Sequence, residues 1–401
     1  MTIHVMSLHT SPLDLPGRGD AGGMNVYVAQ LARQLVAQGE QVIMYALRRR
    51  SDQAAVVDLP DGSRVHHLDL GAIGRAKEDL PAYVDAFAAA CGDLVAADPS
   101  PGILHAHYWL SAVAGRQIAA RTGLRLVTCL HTTARAKNER RGPGDVIEPE
   151  SRARAEQAVI AETDALVVNT VAEGEQLTRL YAADPARIAV IAPGIDPEIH
   201  HPPSPDPRDM VARDPMRVLL AGRLQSLKGP QVLIAALALL RDSGRDVVAR
   251  IIGDGAPEFV AGLRAQIAAA ALTDRVELLP SRPAAALAEQ MRAADVVAVP
   301  SSSETFGLVA LEAQGCATPV VATRVDGLEV AVRDGRTGLL VDSRDPAAWA
   351  AALGALADDP ARRRTLGRAG AAYAAGHSWA RVAREHRALY ARLTRAATAA
   401  Q

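Results

Sequence analysis

The sequence predicts an α/β protein made of two doubly wound parallel-sheet domains. Three observations predict it. Short runs of Val, Ile and Leu recur along the chain and alternate with stretches of helical periodicity. The runs are apolar throughout, as in strands covered on both faces. The alternation breaks once, at "HHPPSPDPRDMVARDP" (200–215), where five prolines suit a semi-rigid surface linker. With 401 residues the chain is too long for one ordinary core, so the break reads as a domain boundary.

In the first half the expected strands are "IHVMSL", "QVIMYAL", "RVHHLDL", "ILHAHY", "RLVTCLH", "ALVVNT" and "IAVIAP". The first helix places Val28, Leu31, Ala32, Leu35 and Val36 at helical spacing, with Gly39 as its stop. After the linker the expected strands are "RVLLAGRL", "VVARIIGDG", "RVELLPS", "VVAVPSS", "PVVATRV" and "GLLVDS". A last helix opens at Ser378 as N-cap and sets Trp379, Val382, His386, Leu389 and Leu393 on one face, which must dock on something. The expected division is 1–200, 201–376 and a terminal helix within 377–401. Two open α/β sheets facing one another would leave a cleft at the carboxyl ends of their strands.

Bulk composition narrows the function classes. The formal net charge is −1, so nothing global favours nucleic acid or an anionic membrane surface. No apolar run reaches the roughly 18 residues of a spanning helix. Cys91, Cys129 and Cys316 lie far apart in apolar contexts, against a disulfide framework or a structural zinc site. The start "MTIHVMSLHT" has no signal-peptide pattern. A cytoplasmic protein is expected.

Four places just after expected strands carry chemistry. In "GRGDAGGMNVYV", Gly22 and Gly23 admit close backbone approach at a helix N-terminus that favours negative charge, although a tight turn without ligand explains the same residues. The stretch is neither a dinucleotide fingerprint nor a Walker A loop. In "AGRLQSLKGP", Arg223 and Lys228 suit a diphosphate, or are solvated cations. In "SSSETFGLVALEAQ", Glu304 and Glu312 suit sugar hydroxyls, while the amides of Phe306, Gly307, Leu308 and Val309 suit phosphate; an ordinary helix start is the plain alternative. In "CLHTTARAKN", His131 and Thr132 would point into the cleft, or His131 is structural. In "HAHYW", His105 and His107 share a strand face, but no acidic third ligand is near, so no metal site is expected there; metal dependence stays open, with Mg²⁺ compatible but not indicated.

Together and in this order, these segments resemble the retaining glycosyltransferases of family 4, whose GT-B fold has two Rossmann-like domains. The Glu-x7-Glu spacing of Glu304 and Glu312 and the "GRLQSLKGP" run match that family's donor domain. "HTSPLDLPGRGDAGGMNVYV", "HYWLS", "ARAKN", "PES" and "RAADVVAVPS" look like one branch, which moves GlcNAc from UDP-GlcNAc to an inositol phosphate and so opens mycothiol synthesis. The resemblance runs from residue 3 to the terminal helix. It implies that Lys77, Tyr108, Thr132 and Arg154, the arginine taken to follow "PES", hold the acceptor phosphate, and that His9, Asp20 and Asn25 face the inositol. On the donor side it implies Arg223 and Lys228 for the diphosphate, Glu304 for the sugar, Glu312 for the ribose, Arg282 near the base and Gly23 against the diphosphate or sugar. His131, Arg223, Lys228 and Glu304 would be the catalytic set. The only co-substrate implied is a nucleotide sugar, the partners are small molecules, and related enzymes are often homodimers.

This chain departs from the branch at "SSSETFG", where "SYNESFG" is usual, at Ser111-Ala112, where the branch has Ser-Gly, and in the loop "ERRGPGDVIEPESRAR". A paralogue acting on another small acceptor, an aminocyclitol or a thiol, would show the same acceptor-side changes. A sugar-nucleotide epimerase of the same architecture and a non-catalytic sugar-nucleotide sensor are the other classes compatible with the scaffold.

Overall fold

The computed structural model describes residues 1–17, 19–100, 102–140, 146–204 and 215–399. Most of the expected linker lies outside the described residues.

The chain forms two compact units. The first comprises Met1–Asp14, Gly23–Ala192 and the chain from Trp379 onward; the second comprises Leu15–Gly22 and Pro193–Ser378. This differs from a simple cut at residue 200. Leu15–Gly22 groups with the second unit because Ser281 Oγ donates to the Gly17 carbonyl (3.0 Å) and Gly22 adjoins the Arg223 guanidinium.

In the first unit the strands are β1 (Thr2–Met6), β2 (Gln41–Leu47), β3 (Val56–Asp58), β4 (Arg64–Leu68), β5 (Gly102–His107), β6 (Leu126–Cys129), β7 (Ala165–Val168) and β8 (Ile188–Val190). They form one sheet in the order β3-β4-β2-β1-β5-β6-β7-β8, parallel except for the β3–β4 pair. All seven expected strands are present. The eighth, β3, was not expected: it is a three-residue edge strand, Val56 is 47% exposed, and it is held by a hairpin in which Leu59 N donates to Ser63 O (2.8 Å). β1, β5, β6 and β7 are buried throughout, as their apolar runs require.

The terminal helix, Trp379–Ala399, completes this unit rather than decorating it. It packs on the helix Gly23–Ala37 and buries Trp379, Val382, His386, Leu389 and Tyr390. Its polar contacts reach across the sequence. Gln38 Nε2 donates to Ala380 O (2.9 Å), Arg387 Nε to Glu40 (2.7 Å), and the Tyr390 hydroxyl meets His105 Nδ1 at 2.8 Å.

The second unit carries β9 (Met216–Ala221), β10 (Val247–Ile252), β11 (Val276–Leu279), β12 (Val296–Val299), β13 (Val320–Thr323) and β14 (Gly338–Val341). All six are parallel, in the order β11-β10-β9-β12-β13-β14. Its core includes Leu220, Leu233, Ile251, Val321 and Trp349.

Each sheet reverses its strand order once, between β1 and β5 in the first unit and between β9 and β12 in the second. In open α/β sheets ligands bind beyond the carboxyl ends at that switch. The loops that leave these strands are those after Met6, His107, Ala221 and Val299. Among the described residues no helix is long and apolar enough to cross a membrane, and the three cysteines are buried and form no disulfide.

Candidate active site

At the carboxyl end of the first sheet, Tyr108 and His131 follow the adjacent strands β5 and β6. Both take a left-handed φ (74° and 60°), which L-residues with bulky side chains rarely adopt. Strain of this kind persists only where the surroundings enforce it. Here Tyr108 N donates to Cys129 O (2.9 Å), locking the β5 exit against the end of β6.

The Tyr108 ring sits among basic groups. Lys77 Nζ lies 5.2 Å and the Arg152 guanidinium 5.0 Å from its centroid, and the His9 ring lies against it, tilted by 41°, with centroids 4.3 Å apart. His9 is buried. Desolvation first, then the charges of Lys77, His131, Arg49 and Arg152, hold its pKa well below the ordinary histidine value. Arg49 was not singled out from the sequence. It donates to the backbone carbonyls of His9 (2.9 Å) and Arg75 (2.7 Å), so its charge enters the group through the loop after β1.

Arg152, not Arg154, is the arginine of this group. It follows "PES" directly and is 3% exposed. Its Nη2 donates to the Thr132 carbonyl (3.0 Å) and hydroxyl (3.3 Å), its Nε to Glu156 (2.7 Å) and its Nη1 to Glu148 (2.8 Å). Arg154 is exposed. Two residues along a helix is a turn of about 200°, so Arg152 and Arg154, both on the helix Glu150–Glu162, face opposite ways. The signal available in the sequence was the i,i+4 pair Arg152–Glu156. The 141–145 part of the rewritten loop lies outside the described residues.

Lys77, Tyr108 and Thr132 thus come together with His9 as expected. Asn25 is buried, and its Nδ2 donates to Thr10 Oγ1 (2.9 Å) and Ser11 O (2.7 Å), pinning the loop after β1. Asp20 belongs to the second unit.

His131 contacts a row of aromatic side chains. His107 Nδ1 is 2.9 Å from His131 Nε2, Cys129 Sγ is 3.7 Å from His131 Nδ1, and Tyr27 meets the His131 ring edge-on at 5.3 Å. Desolvation brings the His131 pKa down to about 3, so the ring is neutral near pH 7. Ligating atoms of His107, Cys129 and His131 lie within 4.8 Å of one another. The histidine pair has the spacing of a hydrogen bond; two nitrogens on one tetrahedral zinc, each about 2.0–2.1 Å from it, stand roughly 3.3 Å apart. His105, expected to share a face with His107, does so with ring centroids 4.2 Å apart.

In the second unit, Arg223 follows β9, and a Cβ on Gly22 would stand 3.7 Å from its Nε. It is therefore Gly22 that adjoins Arg223; Gly23 begins the first unit's helix Gly23–Ala37 and is exposed. Lys228 ends a 3₁₀ turn, Ser226–Lys228, and is ion-paired with Glu304, which also accepts from Ser301 Oγ (3.0 Å). The pair joins the loops after β9 and β12, the two strands at the order reversal.

The Lys228 turn is tightly fixed. Gly229 has φ +76°, and a Cβ there would lie 2.2 Å from Pro300 O. Ser302 N donates to Leu227 O (2.8 Å), and Arg344 bridges Pro300 O (3.0 Å) and Ser226 O (2.6 Å). Gly307, at φ 95°, caps the helix Leu308–Gly315, whose first turn presents the amides of Leu308 and Val309. Phe306 is buried and Glu312 half-buried on that helix, while Arg282 is exposed after β11. This arrangement offers two cations, helix-start amides and two carboxylates, which suits a phosphate joined to a polyhydroxyl group.

Comparison with known proteins agrees with this chemistry. Residues 22–194 match the family model "Glycosyl transferase 4-like domain" and residues 209–373 match "Glycosyl transferases group 1". The D-inositol 3-phosphate glycosyltransferase of Xylanimonas cellulosilytica is 45% identical, covering 98% of this chain and 97% of the relative. That of Corynebacterium diphtheriae is 41% identical, covering 97% and 94%. Among solved structures, sucrose-phosphate synthase from Thermosynechococcus elongatus superposes with a TM-score of 0.90 at 29% identity, covering 98% of this chain and 99% of that one. Anabaena HepE, solved in complex with UDP-glucose, shares the fold with a TM-score of 0.75 at 19% identity, over 98% and 100% of the two chains. The chain belongs to the family-4 glycosyltransferases of GT-B fold, enzymes that depend on a nucleotide sugar, in the group of the D-inositol 3-phosphate glycosyltransferases.

Proposed function

We propose that the protein transfers GlcNAc from UDP-GlcNAc to an inositol phosphate with retention of anomeric configuration. The observation that carries the acceptor reading is the basic group around Tyr108: Lys77 and Arg152 over its ring, with Thr132 held by Arg152. Two cations, a phenol and a hydroxyl gathered at strand ends suit a phosphate monoester on a small polyol. The curated relatives carry that acceptor in their names.

On the donor side, Arg223, Lys228 and the amides from Phe306 to Val309 hold the diphosphate. The bond between the anomeric carbon and the β-phosphate oxygen breaks as the acceptor oxygen approaches the same face, and the acceptor's proton passes to that phosphate oxygen. Charge grows on the departing UDP, so fixed cations and amides aimed at it lower the barrier. Lys228 is paired with Glu304, and in this reading the two divide their work, Lys228 serving the diphosphate and Glu304 accepting from sugar hydroxyls. His131 positions the sugar. None of these roles needs a metal ion.

The test is an acceptor screen with UDP-GlcNAc, comparing inositol 3-phosphate with inositol, with UDP release and the anomeric configuration of the product as readouts. Fast transfer to the phosphorylated acceptor alone is expected. Equal rates with both acceptors overturn the phosphate assignment.

A further inference from the structure

The contact between His107 and His131 decides what His131 can do. Their strands set it up. His107 and Cys129 are register partners on β5 and β6, so both side chains leave the same face of the sheet, and the left-handed turn at His131 brings its ring back to both. A 2.9 Å contact between two imidazole nitrogens is a hydrogen bond, and two neutral rings make one only if one nitrogen carries a proton and the other a lone pair.

The far side of His107 chooses between the two arrangements. His107 Nε2 is buried and has no hydrogen-bond partner among the described residues. Were the proton there, a buried N–H would be left unpaired, which folded proteins almost never tolerate; an unpaired acceptor is less unusual. The proton of His107 therefore belongs on Nδ1, pointing at His131 Nε2. His131 then carries its own proton on Nδ1, on the side of the Cys129 sulfur, a weak acceptor 3.7 Å away.

We infer that His107 is a positioning residue that fixes His131 as the Nδ1–H tautomer with its Nε2 lone pair engaged, so that His131 has only its Nδ1–H to offer the sugar and acts as an oriented donor, not as a general base. Burial supports this by keeping both rings neutral through the working pH range. A protonated His131 would also set an N–H against the N–H of His107. The kinetic part of the inference rests on the proposed transfer reaction; the tautomer does not.

The experiment is imidazole ¹⁵N–¹H correlation spectroscopy on the full chain labelled with ¹⁵N-histidine, with the His131 signals assigned from His131→Gln. The expected spectrum shows His131 protonated on Nδ1 and unchanged from pH 5.5 to 8. His107→Phe, which removes the donor, should give a mixture of tautomers and lower kcat by about 10- to 100-fold, the range for losing a group that orients a functional residue, with the donor KM changed by less than about threefold. His107→Asn, whose amide places a donor near the Nδ1 position, should restore the single tautomer and most of kcat. An Nε2–H signal for His131 in the unmodified protein overturns the inference, and so does unchanged kcat in a folded His107→Phe. Should His107→Phe not fold, the unmodified and His107→Asn spectra decide alone. If the unmodified protein transfers nothing to a phosphorylated polyol, the functional reading fails while the spectrum still settles the tautomer.

Discussion

Replacing Arg152 by Ala should separate it sharply from its neighbour Arg154. Arg152 is 3% exposed, and its ion-pair partner Glu156 is fully buried. The substitution removes hydrogen bonds of 2.7 Å to Glu156, 2.8 Å to Glu148 and 3.0 Å to the Thr132 carbonyl. Removing one partner of a buried ion pair costs about 3–5 kcal/mol, because the other charge is stranded. The lower end applies here, since Glu156 keeps Ala134 N (2.8 Å) and the Tyr181 hydroxyl as donors. At roughly 2–4 °C per kcal/mol for a unit of this size, a loss near 3 kcal/mol lowers the Tm of the first unit by about 6–12 °C. Arg154→Ala changes an exposed side chain and should stay within about 0.5 kcal/mol, or roughly 2 °C. Scanning calorimetry on both variants reads this, with the KM for inositol phosphate measured in parallel. The double variant Arg152→Ala/Glu156→Gln removes the stranded charge, so it should recover part of the Tm but none of the acceptor affinity. Equal Tm values for the two single variants, or a larger rise in acceptor KM for Arg154→Ala, would refute the placement of Arg152.

Three further outcomes are expected. Lys228→Ala should lower kcat by roughly 10²-fold, the scale of losing one fixed donor to developing charge; UDP release measured by chromatography decides, and near-native turnover removes Lys228 from the diphosphate. Gly229→Ala forces a side chain into a left-handed turn, at about 1–2 kcal/mol before any clash, and drives a Cβ to 2.2 Å from Pro300 O. It should depress transfer as well as the Tm of the second unit, and a variant native in both would show that the Lys228 turn can move freely. Finally, His105, His107, His131 and His386 are buried with pKa values lowered by desolvation, His131 to about 3 and His386 to about 4. Their unfolded value is about 6.5, so below that pH the unfolded chain binds protons that the folded unit refuses. The stability of the first unit should be full above about pH 6.5 and fall progressively toward pH 4. Urea midpoints at pH 7.5 and 5 test this, and equal midpoints would contradict it.

The strands were legible because strands covered on both faces read as continuous apolar runs. β3 escaped because three residues at an edge, one of them a half-exposed Val56, carry no such run. The candidate donor loops were legible as well: Arg223, Lys228 and Glu304 lie just after the strands at the order reversal. What stayed hidden was side-chain direction. Arg152 and Arg154 both follow "PES" closely; the i,i+4 spacing of Arg152 and Glu156 is the one sequence signal that separates them, and the burial of Glu156 is what gives that spacing its weight. Asn25 shows the same limit, since nothing local announces that its amide donates to a loop fourteen and fifteen residues away. The grouping of Leu15–Gly22 with the second unit rests on a contact between Gly17 and Ser281, 264 residues apart, and nothing local announces it.

The terminal helix gives the chain an order of assembly during synthesis. Until Trp379 and the residues after it leave the ribosome, Tyr27, Gln38 and His105 lack the partners that His386, Ala380 and Tyr390 supply. Yet the rest of the first unit is complete by Ala192, roughly 190 residues earlier. At about 5–20 residues per second the nascent first unit waits some 10–40 s with an uncovered groove on the helix Gly23–Ala37. The second unit is complete at Ser378, just before that helix emerges. The half made first is therefore finished last, and a stop codon in the final twenty residues would damage the residues translated at the very beginning.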